Sequence, residues 1–199
     1  HGEQYDSPAE KRVYYFEDQR SYHTLKTGWV YDDGQWYYLQ KNGGFESRIN
    51  SLKVGELTRG WINDDSTWYY LDPTTGIMQT GWKYLGNKWY YLRSSGAMAT
   101  GWYQEGSTWY YLDAENGDMK TGWAYVGNKW YYLRSSGAMA TGWVKDGSTW
   151  YYLNASNGDM KTGWFQVNGK WYYAYSSGAL AVSTRVDGYY VNYNGEWVQ

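Results

Sequence analysis

The chain has 199 residues and a net charge of −2, with 15 Trp, 26 Tyr, 3 Phe, no Cys and a mean hydropathy of −0.83. The absence of Cys excludes disulfide and thiolate chemistry, and the charge balance, with no basic stripe, argues against a nucleic-acid partner. No apolar run approaches a membrane span, so no membrane insertion is expected, and the abundant Trp and Tyr suit wet surfaces as well as a core.

In chain order, residues 1–26 read as a polar segment in which Val13-Tyr14-Tyr15-Phe16 forms half of a motif that then recurs. From residue 27 the pair Gly-Trp appears at Trp29, Trp61, Trp82, Trp102, Trp123, Trp143 and Trp164. Each is followed seven residues later by a second Trp that opens Trp-Tyr-Tyr: Trp36, Trp68, Trp89, Trp109, Trp130, Trp150 and Trp171. After Trp61 the pairs lie 20 or 21 residues apart, and the segment 81–121 is nearly copied in 122–162. The interval from Trp29 to Trp61 is longer, which places an insertion near 43–57.

Each unit reads as a β-hairpin. In Gly81–Leu92 two aromatic runs flank Gly86-Asn87, a favoured two-residue turn, and Asp146-Gly147 and Asn168-Gly169 read the same way. One hairpin buries too little to stand alone, so the repeat predicts an all-β solenoid, a superhelix of stacked β-hairpins with about 20 residues per unit. The array runs over 27–182, and 183–199, which lacks Gly-Trp, reads as an atypical C-terminal capping unit.

Alternation puts Trp89 and Tyr91 on one face and Tyr90 on the other, and pairing brings Trp82 near Trp89. All five Met fall in one slot, two residues after a Gly and four before the next Trp: Met78, Met98, Met119, Met139 and Met160, with Leu180 in the following unit. As packing residues these fill hairpin junctions; as site residues they floor an aromatic cage. A cage of indoles, a phenol and a thioether, with no fixed carboxylate beside it, suits a quaternary ammonium, which has no N–H to donate and gains from the ring faces. Pyranose rings also stack on Trp, but sugar sites use polar groups at fixed positions, and here the hairpin polar residues differ between twin units, Gln104-Glu105 against Lys145-Asp146.

The string Gly-Trp, Trp-Tyr-Tyr-Leu, Gly-x-Met-x-Thr-Gly-Trp, over roughly 27–173, resembles the choline-binding repeat of pneumococcal and phage cell-wall proteins. The resemblance implies a hairpin superhelix that holds the choline or phosphocholine of teichoic and lipoteichoic acids. It implies sites between consecutive units, with two Trp from one hairpin and the second Tyr and the Met or Leu from the next. The sites so implied are Trp61, Trp68, Tyr91 and Met98; Trp82, Trp89, Tyr111 and Met119; Trp102, Trp109, Tyr132 and Met139; Trp123, Trp130, Tyr152 and Met160; and Trp143, Trp150, Tyr173 and Leu180. Two sets are incomplete. Trp29, Trp36, Tyr70 and Met78 are split by the insertion, and Trp164, Trp171 and Tyr190 lack the Met. Such modules accompany murein hydrolases, esterases or adhesins, and the nearest parent by resemblance is a pneumococcal cell-wall glucosaminidase.

Catalysis within the chain has little material. His1 and His23 are the only histidines, the acids lie mostly in turns, and no metal-ligand spacing or phosphate loop appears. The expectation is a non-catalytic, extracellular, wall-bound module with no cofactor and no metal. A glucan-binding module and an inert spacer stay open beside it, as does the choice between monomer and dimer.

Overall fold

The computed structural model describes residues 26–41 and 56–199. The predicted half repeat at Val13–Phe16 and most of the predicted insertion lie outside these residues. Among the described residues every element is a β-strand. The chain divides into two units, 1–99 and 100–199.

The first unit holds three hairpins: β1 (Gly28–Asp32) with β2 (Gln35–Leu39), β3 (Gly60–Asp64) with β4 (Thr67–Leu71), and β5 (Gly81–Leu85) with β6 (Lys88–Leu92). The second holds β7 (Gly101–Glu105) with β8 (Thr108–Leu112), β9 (Gly122–Val126) with β10 (Lys129–Leu133), β11 (Gly142–Asp146) with β12 (Thr149–Leu153), and β13 (Gly163–Val167) with β14 (Lys170–Ala174). It closes on a three-stranded sheet of β15 (Thr184–Val186), β16 (Tyr189–Val191) and β17 (Trp197–Val198). The predicted stacked-hairpin fold is the one observed.

Gly86 (φ 56°) and Asn87 (φ 64°) both sit in the left-handed region, as a tight turn matching strand twist requires. The turn expected at Asp146-Gly147 lies one residue later, because Asp146 still pairs with Thr149. Register is the same in every full hairpin: the first Trp stands opposite the second Tyr, as Trp82 does Tyr91, and the Gly before it faces the last residue of the second strand. In six hairpins that last residue is Leu39, Leu71, Leu92, Leu112, Leu133 or Leu153, each fully buried, and in the seventh it is Ala174, also buried. Each such leucine is worth roughly 1.5–3 kcal/mol, and Val30, Ile62, Val144 and Phe165 on the first strands, with Ala99, Ala140 and Ala181 before the next hairpin, are buried as well.

Hairpins within a unit are tied through the backbone. The Met-slot residue bridges its own hairpin's Leu, as Leu133 with Met139, and donates its N–H to the second Trp of the hairpin before. These bonds run from Met78 to Trp36 O (2.8 Å), Met98 to Trp68 O (2.7 Å), Met139 to Trp109 O (2.7 Å), Met160 to Trp130 O (2.8 Å) and Leu180 to Trp150 O (2.9 Å). Each satisfies a carbonyl that an isolated hairpin leaves on its open edge. An ion pair reinforces one of these joints, Lys129 with Asp159 at 2.8 Å, and another, Lys170 with Glu196 at 2.6 Å, ties β14 to the terminal sheet.

Candidate functional site

The repeated surface is built from both faces of each hairpin. On one face the two indoles are diagonal neighbours in T-shaped contact, 6.4–6.5 Å between centroids, at Trp61–Trp68, Trp82–Trp89, Trp102–Trp109, Trp123–Trp130 and Trp143–Trp150. The second Trp is the open wall, exposed by 39–44% from Trp36 to Trp171.

The tyrosine that meets this face from the next hairpin is the first of Trp-Tyr-Tyr. Trp29 meets Tyr69 at 4.6 Å, Trp61 meets Tyr90 at 5.0 Å, Trp102 meets Tyr131 at 4.8 Å, Trp123 meets Tyr151 at 4.7 Å and Trp143 meets Tyr172 at 4.9 Å. The sequence placed the second tyrosine there, and the geometry corrects it. Tyr70, Tyr91, Tyr111, Tyr132, Tyr152 and Tyr173 instead lie 5.0–5.2 Å from the first Trp of their own hairpins. Strand alternation is the reason. A hairpin that shows its Trp pair to the following unit shows its opposite face, which carries the first Tyr, to the preceding one.

The pockets between hairpins follow this rule. One cavity of ≈ 330 Å³ is lined by Trp102, Trp109, Tyr131 and Met139, with Ser156 and Asn157 at its rim. Another, ≈ 370 Å³, is lined by Trp29, Trp36, Tyr69 and Met78, with Ser94 and Ser95 at its rim. The set that the insertion divides in sequence is therefore closed in space. Trp61, Trp68, Tyr90 and Met98 come together in the same way, as do Trp123, Trp130, Tyr151 and Met160, and Trp143, Trp150, Tyr172 and Leu180. Trp82 and Trp89 share one face of their hairpin.

At the C-terminal end Trp164, Trp171 and Tyr189 line an open pocket of ≈ 330 Å³ with Trp197 in place of the missing Met. Tyr190, expected here, pairs across the strands with Arg185, which stands where full repeats carry their first Trp. Trp197 was read only as part of a cap, since nothing in the repeat period marks it.

The Met slot explains the glycine beyond it. Gly158 has φ 76°, and a Cβ there would overlap the Met139 thioether; Gly96 stands in the same relation to Met78 and Gly178 to Met160. The cage floor is thus held by a residue with no side chain.

One expectation about charge is corrected. Carboxylates do lie beside some Trp pairs: Trp29 Nε1 donates to Asp64 Oδ2, Trp123 Nε1 to Asp146 Oδ2 and Trp164 Nε1 to Asp187 Oδ2, each at 3.0 Å. They sit at the indole edge rather than in the cage. Burial acts to raise the Asp64 carboxyl, but hydrogen bonds from Lys41, Tyr38 and Trp29 outweigh it and hold it below the usual carboxylate range. Among the described residues no group of His, Cys, Asp and Glu could hold a metal ion.

Known families match the array along its length. The family described as choline-binding repeat matches 79–121 and 120–165, and that described as putative cell wall binding repeat matches 27–45, 60–78 and 162–180. The chain belongs to the choline-binding repeat proteins. CbpJ of Streptococcus pneumoniae TIGR4 is 74% identical over 92% of this chain and 64% of its own length, with a TM-score of 0.80. Choline binding protein F of S. pneumoniae is 66% identical over 100% of this chain and 65% of its own, with a TM-score of 0.86. The choline-binding domain of CbpL from the same organism is 39% identical over 87% of this chain and 98% of its own, with a TM-score of 0.57. The chain thus spans just under two thirds of the first two and nearly all of the third. The comparison with curated protein sequences found no match. The choline-binding repeats here are the hairpins themselves, and the cages lie where one hairpin meets the next.

Proposed function

We propose that this chain is a non-catalytic anchor whose inter-hairpin cages take the choline groups of teichoic and lipoteichoic acids, holding a parent protein on the outside of the bacterial wall. The observation that carries this reading is the repeated convergence of two indoles, one phenol and one Met or Trp on an open-mouthed pocket of about 330–370 Å³. Ring faces attract a cation without hydrogen bonding it, which suits a trimethylammonium and wastes the N–H groups of a primary amine. The side chains in contact with choline are then Trp29, Trp36, Tyr69 and Met78; Trp61, Trp68, Tyr90 and Met98; Trp102, Trp109, Tyr131 and Met139; Trp123, Trp130, Tyr151 and Met160; Trp143, Trp150, Tyr172 and Leu180; and Trp164, Trp171, Tyr189 and Trp197.

The rim supports phosphocholine over free choline as the natural ligand. Ser94, Ser95, Ser156 and Asn157 offer donors at the mouths of two cages, where a phosphate joined to a caged choline would emerge. The test is retention on a quaternary-amine resin and on dextran. Retention on the first with release by free choline supports the anchor. Retention on dextran alone would overturn it in favour of glucan binding.

A further inference from the structure

Successive cages differ, and the differences alternate. Three residues beyond its first Trp, β3 carries Asp64 and β11 carries Asp146, and each accepts the indole N–H of the first Trp in the hairpin before, Trp29 and Trp123. Asp187, in the turn of the terminal unit, does the same for Trp164. In β5, β9 and β13 that position is Leu85, Val126 and Val167, so the cages of Trp61, Trp102 and Trp143 receive no carboxylate from it.

A second feature follows nearly the same alternation. The residue paired across the strands with the second Trp is Tyr31 against Trp36 and Tyr125 against Trp130, with ring centroids 5.1 Å apart in both. Opposite Trp68, Trp109 and Trp150 it is Asn63, Gln104 and Lys145. Lys145 goes further, because its ammonium lies 5.8 Å from the centroid of the Trp150 ring and sets the protein's own cation on a cage wall. The terminal cage has the carboxylate without the extra Tyr, since Gln166 faces Trp171.

We infer that the array contains two kinds of cage, and that the carboxylate-backed ones at Trp123, Trp164 and Trp29 take a quaternary ammonium before those at Trp61, Trp102 and Trp143. This rests on the reading of the cages as ammonium sites. The carboxylate does not touch the cation. Bonded to the indole N–H, it places a negative charge at the ring edge, several ångströms from a cation on the ring face, and deepens the potential there. Lys41, 2.6 Å from Asp64, returns positive charge near Trp29 and ranks that cage below the one at Trp123. Lys145 competes for Trp150 and makes the Trp143 cage the last to fill. A choline-bearing polymer at low concentration is therefore gripped first at alternate hairpins.

Asp146→Asn separates charge from geometry, since the amide oxygen still accepts the indole N–H. The experiment titrates the full chain, labelled with 5-fluorotryptophan and read by fluorine NMR, with choline and with its uncharged isostere 3,3-dimethylbutan-1-ol. Wild type is expected to fill in two stages with choline. Asp146→Asn is expected to weaken choline at the Trp123 cage by about threefold or more, threefold being roughly what Coulomb attraction between charges about 7 Å apart gives in bulk water and a protein surface giving more, and to leave the isostere unchanged there. Val126→Asp should tighten the Trp102 cage, and Lys145→Gln the Trp143 cage. A single stage of filling that Asp146→Asn leaves unaltered would overturn the inference while the cages stand. Equal losses for choline and isostere would also overturn it, since Asp146 would then only hold the ring. No choline binding at all would bring down the reading of the cages themselves.

Discussion

Tyr131 and Tyr132 are adjacent in the chain and have different neighbours. Tyr131 closes the cage of the preceding hairpin against Trp102, whereas Tyr132 packs on Trp123 of its own and borders the buried Leu153 and Ala140. Tyr131→Ala is expected to weaken choline at one cage by about tenfold or more, because a desolvated cation–π contact is worth about 2 kcal/mol. Tyr132→Ala is expected chiefly to lower stability. A choline titration and a denaturant melt on both variants check this, and the reverse assignment of losses would restore the sequence expectation. That expectation failed for an identifiable reason. The alternation of Trp89, Tyr90 and Tyr91 was visible, but the cage was assigned to the tyrosine on the Trp face. A hairpin in a stack has a neighbour on each side, so the partner for one cage must come from the other face. The Trp pairs and the Met slot were legible because they repeat. Trp197 and the carboxylates at Asp64, Asp146 and Asp187 were not, because each acts across an interval of more than 20 residues that no local pattern marks.

At the scale of the hairpin and its turn, glycine and methionine act as a pair. Gly158 needs its positive φ and has no room for a Cβ beside Met139. Gly158→Ala is expected to cost at least about 1 kcal/mol of stability and to push Met139 into the Trp102 cage, weakening choline there. Unchanged binding in a folded variant would mean that Met139 has slack. The turn at Asp113 has a pH signature. Lys120, 2.8 Å away, and then the N–H groups of Asn116 and Glu115 hold the Asp113 carboxyl down to about 2. Its stabilising contribution should be complete above about pH 4, the ordinary carboxylate range, and be lost as the pH falls toward about 2. Asp113→Asn should flatten that part of an acid melt, and an unchanged acid limb would contradict the assignment. The hairpins themselves were readable from turn pairs and aromatic runs. Their core was less so: the abundant Trp and Tyr fitted a wet surface and a core alike, whereas the structure buries the strand-end Leu of six hairpins with residues such as Val30, Ile62, Val144 and Ala140.

The array as a whole multiplies a weak interaction. One cation in one cage makes few contacts, but a polymer held at one cage presents its next choline at raised effective concentration, and linked sites gain roughly 10²–10⁴ in avidity when spacing permits. Free choline has no such gain, yet each filled cage ties one hairpin to the next, so occupancy and folding are linked. At a free concentration about nine times the dissociation constant each independent cage adds roughly 1.4 kcal/mol. The most direct measurement is therefore a thermal unfolding series in choline chloride beside an equal series in sodium chloride. Unfolding temperatures that climb by many degrees with choline and stay nearly level with sodium are the expected result. Two coincident curves would contradict the assignment of these cages to choline.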